Sequence, residues 1–386
     1  MRPIRIMQVL EATAGGTRRH LNEVLGALSG EEFELHVVCA LRRDPTFGED
    51  VERYLRSGHA VTILPMTRGP HPFRDPVAAW RLRRLLADAP CDVLHLHSAK
   101  AGVLGRLACR GRDCRVIYSP HAFPFLQRSP APVRRTYELV ERVLARRTDL
   151  LLAVSDAEAR LAVEIGLYPA DRVAVLPNAL DIDQLDREIA EPEPFRGRGP
   201  ERTFALVGEL RAQKDPFTFL EAARRLRDRR IPAHFVLPAR GVELGKVRRY
   251  LRRHRLEPVV DLVAAETSLA AVYRRTDVAV LPSLWEGLPY ALLDALALRR
   301  PVIASGLPVF EDLLPTLDPR LLFPPGSSAA LAERMELLAR LPRRELDSLG
   351  DRGRELVRRH HDLAAWQDGL RETYRSTAMR RPSRCG

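Results

Sequence analysis

The amino-acid sequence predicts an α/β protein of two doubly wound, Rossmann-like domains. Three observations predict it. Short apolar runs alternate with longer amphipathic ones, the pattern of βαβ units around a mostly parallel sheet. The alternation stops once, between Asp186 and Arg202, in a stretch rich in Pro, Gly and charge (Glu191-Pro192-Glu193-Pro194, Gly197-Arg198-Gly199-Pro200), and then restarts. The 386 residues exceed one ordinary core and suffice for two.

In the first half, Ile4 to Leu10 reads as a buried strand, His20 to Leu28 as a helix and Leu35 to Ala40 as a strand. Pro76 to Ala89 is a helix, Val93 to Leu96 a strand, Ala99 to Cys109 a helix and Val116 to Ser119 a strand. A long helix, Pro132 to Arg147, leads to the strand Leu150 to Val154. The second half repeats the rhythm: strands Phe204–Val207, His234–Leu237, Val278–Leu281 and Pro301–Ala304, and helices Pro216–Arg227, Leu244–His254 and Tyr290–Leu298. The expected division is a first domain over 1–185, a linker over 186–202 and a second domain over 203–365. A C-terminal helix over 366–378 is expected to pack back on the first domain, with a frayed tail over 379–386. The cleft between two such halves is the default site.

Hydrophobic residues are 45% and charged residues 29% of the chain, which excludes a disordered protein. The net charge of +12 suits an acidic partner: a phosphorylated metabolite, an anionic membrane surface or a nucleic acid. No nucleic-acid module is recognised, so nucleic acid is not an expected partner. The five cysteines show neither metal-ligand spacing nor a framework of bridges, which fits a reducing, cytoplasmic compartment. The chain runs from Met1 straight into a strand without an apolar signal core, and no apolar run approaches the roughly 18 residues of a spanning helix. A membrane would be met from its surface.

Several motifs sit where such a fold does chemistry. Gly15-Gly16 follows the first strand and precedes a helix, where backbone N–H groups and the dipole end suit a phosphate. It is not the G-x-G-x-x-G fingerprint, which disfavours a nicotinamide-dependent oxidoreductase. Gly208 and the loop Leu210-Arg211-Ala212-Gln213-Lys214-Asp215 place Arg211 and Lys214 at a strand-to-helix turn, fit for a diphosphate. In Pro282-Ser283-Leu284-Trp285-Glu286-Gly287-Leu288-Pro289, the N–H groups of Gly287, Leu288 and Tyr290 are candidates for a phosphate or sugar hydroxyl, with Pro289 expected in the first helical turn. Glu286 stands at the mouth of that helix and Asp294 two turns inside it; carboxylates accept paired bonds from sugar hydroxyls. His121, at a strand end in Ser119-Pro120-His121-Ala122-Phe123, can donate to a ligand oxygen. The triplet Asp181-Ile182-Asp183 closes a loop and is not read as a metal site.

Taken in order, these pieces resemble glycosyltransferase family 4 of the GT-B fold, in particular the bacterial exopolysaccharide and lipid-linked-oligosaccharide transferases. His97-Ser98-Ala99-Lys100-Ala101-Gly102-Val103-Leu104-Gly105-Arg106 is similar to HSxKAGxLGR, and Pro120-His121-Ala122-Phe123 to the family's histidine loop. Val154-Ser155-Asp156-Ala157-Glu158 resembles VSEAE, and Pro177-Asn178-Ala179-Leu180-Asp181 resembles PNGxD. Gly208 to Lys214 resembles GRLxxQK, Pro282 to Asp294 the E-x7-E region, and Pro324-Pro325-Gly326 the family's PPG. The resemblance implies two domains facing each other across a cleft, and a retaining, metal-independent transfer from a nucleotide sugar, most simply a uridine diphosphate sugar. The acceptor it implies is polyprenyl-diphosphate-linked or polysaccharide. It further implies that Lys214 holds the donor diphosphate, Glu286 the sugar hydroxyls and Asp294 the ribose. His121 would reach the sugar from the first domain, and Gly15 and Gly16 would approach phosphates or acceptor. No resident cofactor is expected, since the nucleotide sugar is a substrate.

This sequence departs from the pattern at Glu209, where the family has Arg; at Asp294, one methylene shorter than Glu; and at Ala179 in place of Gly. Arg211 or Arg240, the latter in Pro238-Ala239-Arg240-Gly241, could supply the missing cation. A nucleotide-sugar 2-epimerase on the same fold, or a degraded transferase acting as a scaffold, stays open. The basic helix with Arg134, Arg135, Arg142, Arg146 and Arg147, the basic stretch Trp80, Arg81, Arg83 and Arg84, and the nearby Phe123, Phe125 and Leu126 together suggest contact with anionic lipid headgroups.

Overall fold

The structure is a computed structural model that describes residues 2–190, 201–264 and 269–379. It divides into two units. Unit 1 comprises the chain up to Asn178 and the C-terminal segment from Ala364; unit 2 is Ala179–Leu363.

Unit 1 holds the strands β1 (Ile4–Leu10), β2 (Phe33–Cys39), β3 (Ala60–Ile63), β4 (Val93–His97), β5 (Arg115–Ser119), β6 (Leu150–Ala153) and β7 (Val173–Val175). They form one parallel sheet in the order β3-β2-β1-β4-β5-β6-β7. β4, β5 and β6 are buried throughout, as expected of parallel strands covered by crossover helices on both faces.

The helix Ser98–Ala108 lies very close to this sheet. A Cβ on Gly102 would come within 2.5 Å of the Tyr118 ring, and one on Gly105 within 2.2 Å of Leu96. Arg106 of the same helix is fully buried; its guanidinium reaches Glu141 at 2.8 Å, and the Tyr118 hydroxyl donates to the other Glu141 oxygen at 3.0 Å. The HSAKAGVLGR segment is therefore largely packing chemistry. The C-terminal helix Leu363–Met379 buries Trp366, Leu370 and Tyr374 in unit 1; Arg371 donates to the carbonyl of Ala27 at 2.8 Å and Arg375 pairs with Glu32 at 2.6 Å.

Unit 2 holds β8 (Arg202–Leu206), β9 (Ala233–Pro238), β10 (Val260–Val263), β11 (Val278–Leu281), β12 (Val302–Ser305) and β13 (Leu322–Phe323), parallel, in the order β10-β9-β8-β11-β12-β13. Each sheet thus reverses direction between its first and fourth strand, β1 and β4 in one and β8 and β11 in the other. In doubly wound sheets this reversal opens a crevice at the carboxyl ends, where ligands bind.

Three local expectations are corrected. The expected linker begins inside a helix, Ile182–Ala190, whose start is capped by Asp181 accepting from the Gln184 N–H at 2.8 Å. Arg354 clamps Asp186 of that helix at 2.5 Å. The division of the chain falls at Asn178, Arg202 already belongs to β8, and 191–200 lie outside the described residues, as do 380–386 of the expected tail. The first helix begins at Gly16, not near His20, because Gly15, with φ +63°, turns the chain directly into it. Pro289 is extended and precedes the helix Tyr290–Ala297 instead of occupying its first turn. Among the described residues no helix is long and apolar enough to cross a membrane.

Candidate functional site

In unit 2 the loops after β8 and β11 flank the reversal point. Gly208 takes φ +126°, and a Cβ there would meet the Lys214 stem at 3.2 Å, so the lysine folds over a position that favours glycine. A short turn, Ala212–Lys214, delivers the Lys214 ammonium to Glu286 Oε1 at 2.5 Å. Gln213 ties the two loops together: its side-chain amide donates to the Trp285 carbonyl at 2.9 Å and to Glu286 Oε2 at 3.3 Å, and its backbone carbonyl accepts from Leu284 N–H at 2.8 Å. The Lys214 and Glu286 side chains keep 16% and 8% of their surface, enough to be reached from outside. A diphosphate brought here would compete with Glu286 for the ammonium.

Glu209 is neutralised at once by the guanidinium of Arg211. Arg211 is thereby engaged, whereas Arg240 is exposed and makes no side-chain bond or ion pair with the described residues. The turn carrying Arg240 is fixed to the Lys214 loop, since Leu210 N–H donates to the Arg240 carbonyl at 2.8 Å and Glu243 N–H to the Leu210 carbonyl at 2.9 Å. Gly241 (φ +119°) permits this; a Cβ would stand 2.5 Å from the Leu210 carbonyl oxygen. Gly287 and Leu288 are buried at the start of the next helix, and Asp294 inside it is only 2% exposed.

In unit 1, Gly15 and Gly16 are exposed at the carboxyl end of β1. His121 follows β5, and both it (φ +52°) and Ala122 (φ +82°) are left-handed, a costly conformation for residues with a Cβ. Glu158 holds this turn: its carboxylate accepts from Ala122 N–H at 2.7 Å and from Val154 N–H at 3.0 Å. Burial pushes the Glu158 carboxyl up to about 7 against the pull of those two bonds.

His121 closes a buried chain of hydrogen bonds whose direction can be worked out. The Leu152 carbonyl can only accept, so the Ser119 hydroxyl donates to it at 2.7 Å and accepts from His95 Nε2–H at 3.0 Å. Tyr374 then donates to His95 Nδ1 at 2.6 Å and accepts from the Gln8 amide at 2.8 Å. The Gln8 oxygen accepts from His97 Nε2–H at 2.8 Å, which leaves His97 Nδ1 to accept from His121 Nε2–H at 3.2 Å. His20 joins from the first helix, its Nδ1 on the Asn178 oxygen at 3.0 Å. Burial keeps all four imidazoles neutral: it lowers His20 to about 4 and the other three well below the usual histidine value, with their histidine neighbours adding to the effect in those three.

Every predicted site residue except Asp294 therefore lies in a segment that directly follows the carboxyl end of a strand. Lys214, Glu286 and the Gly208 turn are brought together, and Asp294 is placed in the interior of its helix. A depression of about 690 Å³, lined by Asn22, Gly30, Phe33 and Tyr54 among others, lies at the opposite, amino edge of the unit 1 sheet, away from these residues. Gln213, His20, His95 and Gln8 were not singled out. The signal for the buried network was in β4: His95 and His97 alternate within an otherwise apolar run and so share a sheet face, beside Gln8, which stands opposite His95 in register. One aromatic expectation is corrected. Phe123 is fully buried in the unit 1 core with Phe125 stacked on it at 5.1 Å, so it offers nothing to a membrane; Trp80 and Leu126 are exposed.

Two doubly wound domains in one chain, with a cation and a carboxylate at the reversal point of the second, define the GT-B glycosyltransferase architecture. The family model for Glycosyltransferase Family 4 matches residues 14–184, and that for Glycosyl transferases group 1 matches residues 201–340. The chain belongs to glycosyltransferase family 4. It is 26% identical over 310 residues, 78% of each chain, to the UDP-Gal:alpha-D-GlcNAc-diphosphoundecaprenol alpha-1,3-galactosyltransferase of Escherichia coli. It is 28% identical over 303 residues, 73% of this chain and 71% of the other, to the putative colanic acid biosynthesis glycosyltransferase WcaL of Escherichia coli K12. Among solved structures, Anabaena HepE in complex with UDP-glucose shares the fold at a TM-score of 0.76 and 16% identity, over 97% of this chain and all of that one.

Proposed function

We propose that this glycosyltransferase moves a sugar from a uridine diphosphate sugar to a polyprenyl-diphosphate-linked acceptor in cell-surface glycan synthesis, with retention at the anomeric carbon. The observation that carries the proposal is the Lys214–Glu286 pair at the unit 2 reversal point. An ammonium there can neutralise the departing diphosphate, and a carboxylate beside it can orient sugar hydroxyls. The donors and acceptor named for the galactosyltransferase relative and for the HepE complex support this choice of substrates. In this reading Lys214 and exposed Arg240 take the diphosphate, Arg211 offsets Glu209, and the N–H groups of Gly287 and Leu288 lie beside the phosphates. Asp294 serves the ribose, while His121, Gly15 and Gly16 serve the sugar and acceptor from unit 1. No metal or resident cofactor enters the transfer step.

The first test is thermal unfolding with UDP, GDP, ADP and NAD at millimolar concentration. A ligand binding only the folded chain stabilises it by about 2.7 kcal/mol at a hundredfold excess over Kd. The expected result is a rise with UDP that disappears in Lys214→Ala. A rise with NAD alone would overturn the reading, and turnover of a nucleotide sugar without any acceptor would replace it with an epimerase. Peripheral membrane contact is part of the proposal. It is supported by exposed Trp80 (59%), Leu139 (61%) and Val143 (56%) among the arginines of unit 1. Flotation with phosphatidylglycerol vesicles at low salt checks it, and failure to float removes it.

A further inference from the structure

We infer that His20, His97 and His121 form a binding site for one zinc ion inside unit 1. One nitrogen from each ring lies within 4.8 Å of the other two. His97 Nδ1 and His121 Nε2 stand 3.2 Å apart. Zinc–imidazole bonds of about 2.1 Å at tetrahedral angles place neighbouring ligand nitrogens about 3.4 Å apart. The three ring centroids are separated by 4.6 to 5.5 Å; the His97 and His121 rings lie nearly parallel, 21° apart, and the His20 ring stands edge-on to both.

Two of the rings are held the way metal-bearing imidazoles are held, through the nitrogen that does not bind. Gln8 accepts from His97 Nε2–H, and Asn178 accepts from His20 Nδ1–H. Both rings therefore turn a bare lone pair inward, at His97 Nδ1 and His20 Nε2. His121 Nε2 carries one proton and can give it to one of them. It gives it to His97, and His20 Nε2, in a residue 2% exposed, has no hydrogen-bond partner. Two convergent lone pairs with one proton between them leave a buried acceptor unsatisfied, and a cation shared by all three nitrogens satisfies it. His95 is excluded although its ring lies 4.0 Å from that of His97, because Tyr374 and Ser119 occupy both of its nitrogens. Neutral imidazoles suit zinc above magnesium or calcium.

The ion would join three segments that leave the carboxyl edge of the sheet: the helix after β1, the end of β4 and the left-handed turn after β5. It would also move the His121 proton to Nδ1. The role is structural, and it stands or falls apart from the donor assignment in unit 2.

The test uses the full chain without an affinity tag. It is stripped with chelator, incubated with zinc sulfate, desalted and measured by mass spectrometry for metal. About one zinc per chain is expected, with a rise in unfolding temperature, as structural zinc stabilises only the folded state. His20→Gln and His97→Gln should each lose both effects, and His36→Gln, on β2 and outside the cluster, should keep them. Retention of no zinc would overturn the inference and leave a water as the occupant of the site. Unchanged retention in His20→Gln and His97→Gln would overturn it too, by showing adventitious binding elsewhere. Should those variants fail to fold, cobalt substitution of the unaltered chain decides: tetrahedral nitrogen ligation gives intense visible absorption, and a spectrum no stronger than aqueous cobalt refutes the site.

Discussion

Unit 1 buries Gln8, His20, His95, His97, Arg106, Glu141 and Glu158, whereas the buried polar side chains of unit 2 are mainly hydroxyls, with Asp294, His234 and His361 besides. The strand order is the same in both over six strands, and unit 1 adds a seventh at its edge. Unit 2 keeps the Lys214–Glu286 and Glu209–Arg211 pairs in partly exposed loops at the rim of its sheet. Unit 1 places a directed polar chain within the sheet itself. A rim pair can exchange partners with an arriving phosphate at little structural cost, because water reaches both ions. A buried chain has no such freedom: each proton has one place, so it fixes the His121 turn and makes unit 1 sensitive to anything that adds or removes a charge.

The largest effect should come from Arg106→Met, which strands Glu141 in the unit 1 core. Breaking a buried pair from one side costs about 3–5 kcal/mol, measurable by urea unfolding. Adding Glu141→Leu should recover most of the loss, and a double variant as unstable as the single would show that packing, not charge, dominates there.

The mirror test in unit 2 is Lys214→Ala. Its expected cost is about 10²–10³ in kcat, of the order seen when one charge-stabilising donor is lost, with little change in unfolding temperature. A large drop in stability instead would mean that the rim pair is structural and would erase the contrast between the units.

Acid should act on unit 1 first. The folded pKa of His20 is depressed from 6.5 to about 4, so the unfolded chain binds the extra proton and stability present above pH 6.5 is lost as pH falls toward 4. For His20 alone this is on the order of 3 kcal/mol. His95, His97 and His121 act in the same direction. Glu158 opposes them: its carboxyl is raised from 4.5 to about 7, so its burial costs stability as pH rises through that window. Four groups outweigh one, and chelator-treated protein should show unit 1 unfolding below pH 6 while unit 2 persists. Hydrogen exchange followed separately in the two units checks this, and simultaneous loss would refute it.

The smallest effect should follow Asp215→Ala, which removes the acceptor for the Thr218 N–H and hydroxyl at the start of the helix Pro216–Asp228. A lost N-cap costs about 1 kcal/mol, and a left-handed residue (φ +41°) without the aspartate side chain adds to it. Asp215→Asn should recover most of the loss in the same urea titration.

Much of the fold was legible because it is written locally. The apolar runs of β4, β6, β8 and β11 and the periodic helices between them follow from burial on two faces or on one. The weakest signals were the short strands β3, β7 and β13 and the helix Ile182–Ala190, each too brief for a period to declare itself beside charged and Pro-rich neighbours. In the site, Gly208, Lys214 and Glu286 were legible because glycine, cation and carboxylate at strand ends have few purely structural uses together. Asp294 was legible by spacing, yet its burial was not, since nothing around it in sequence reveals what covers that helix. Phe123 misled for the same reason: an aromatic beside a loop reads as exposed until the core beneath it is known.

By itself, then, the sequence determined two apolar cores, the alternation that makes each sheet parallel and doubly wound, and the strand ends that carry the chemistry. Only the tertiary structure decided which polar groups meet. Lys214 finds Glu286 across 72 positions, and Tyr374 finds Gln8 across 366. Such pairings depend on strand order, register and the return of the last helix, which bring distant residues to one edge. A local pattern specifies the edge, and long-range packing alone specifies who shares it.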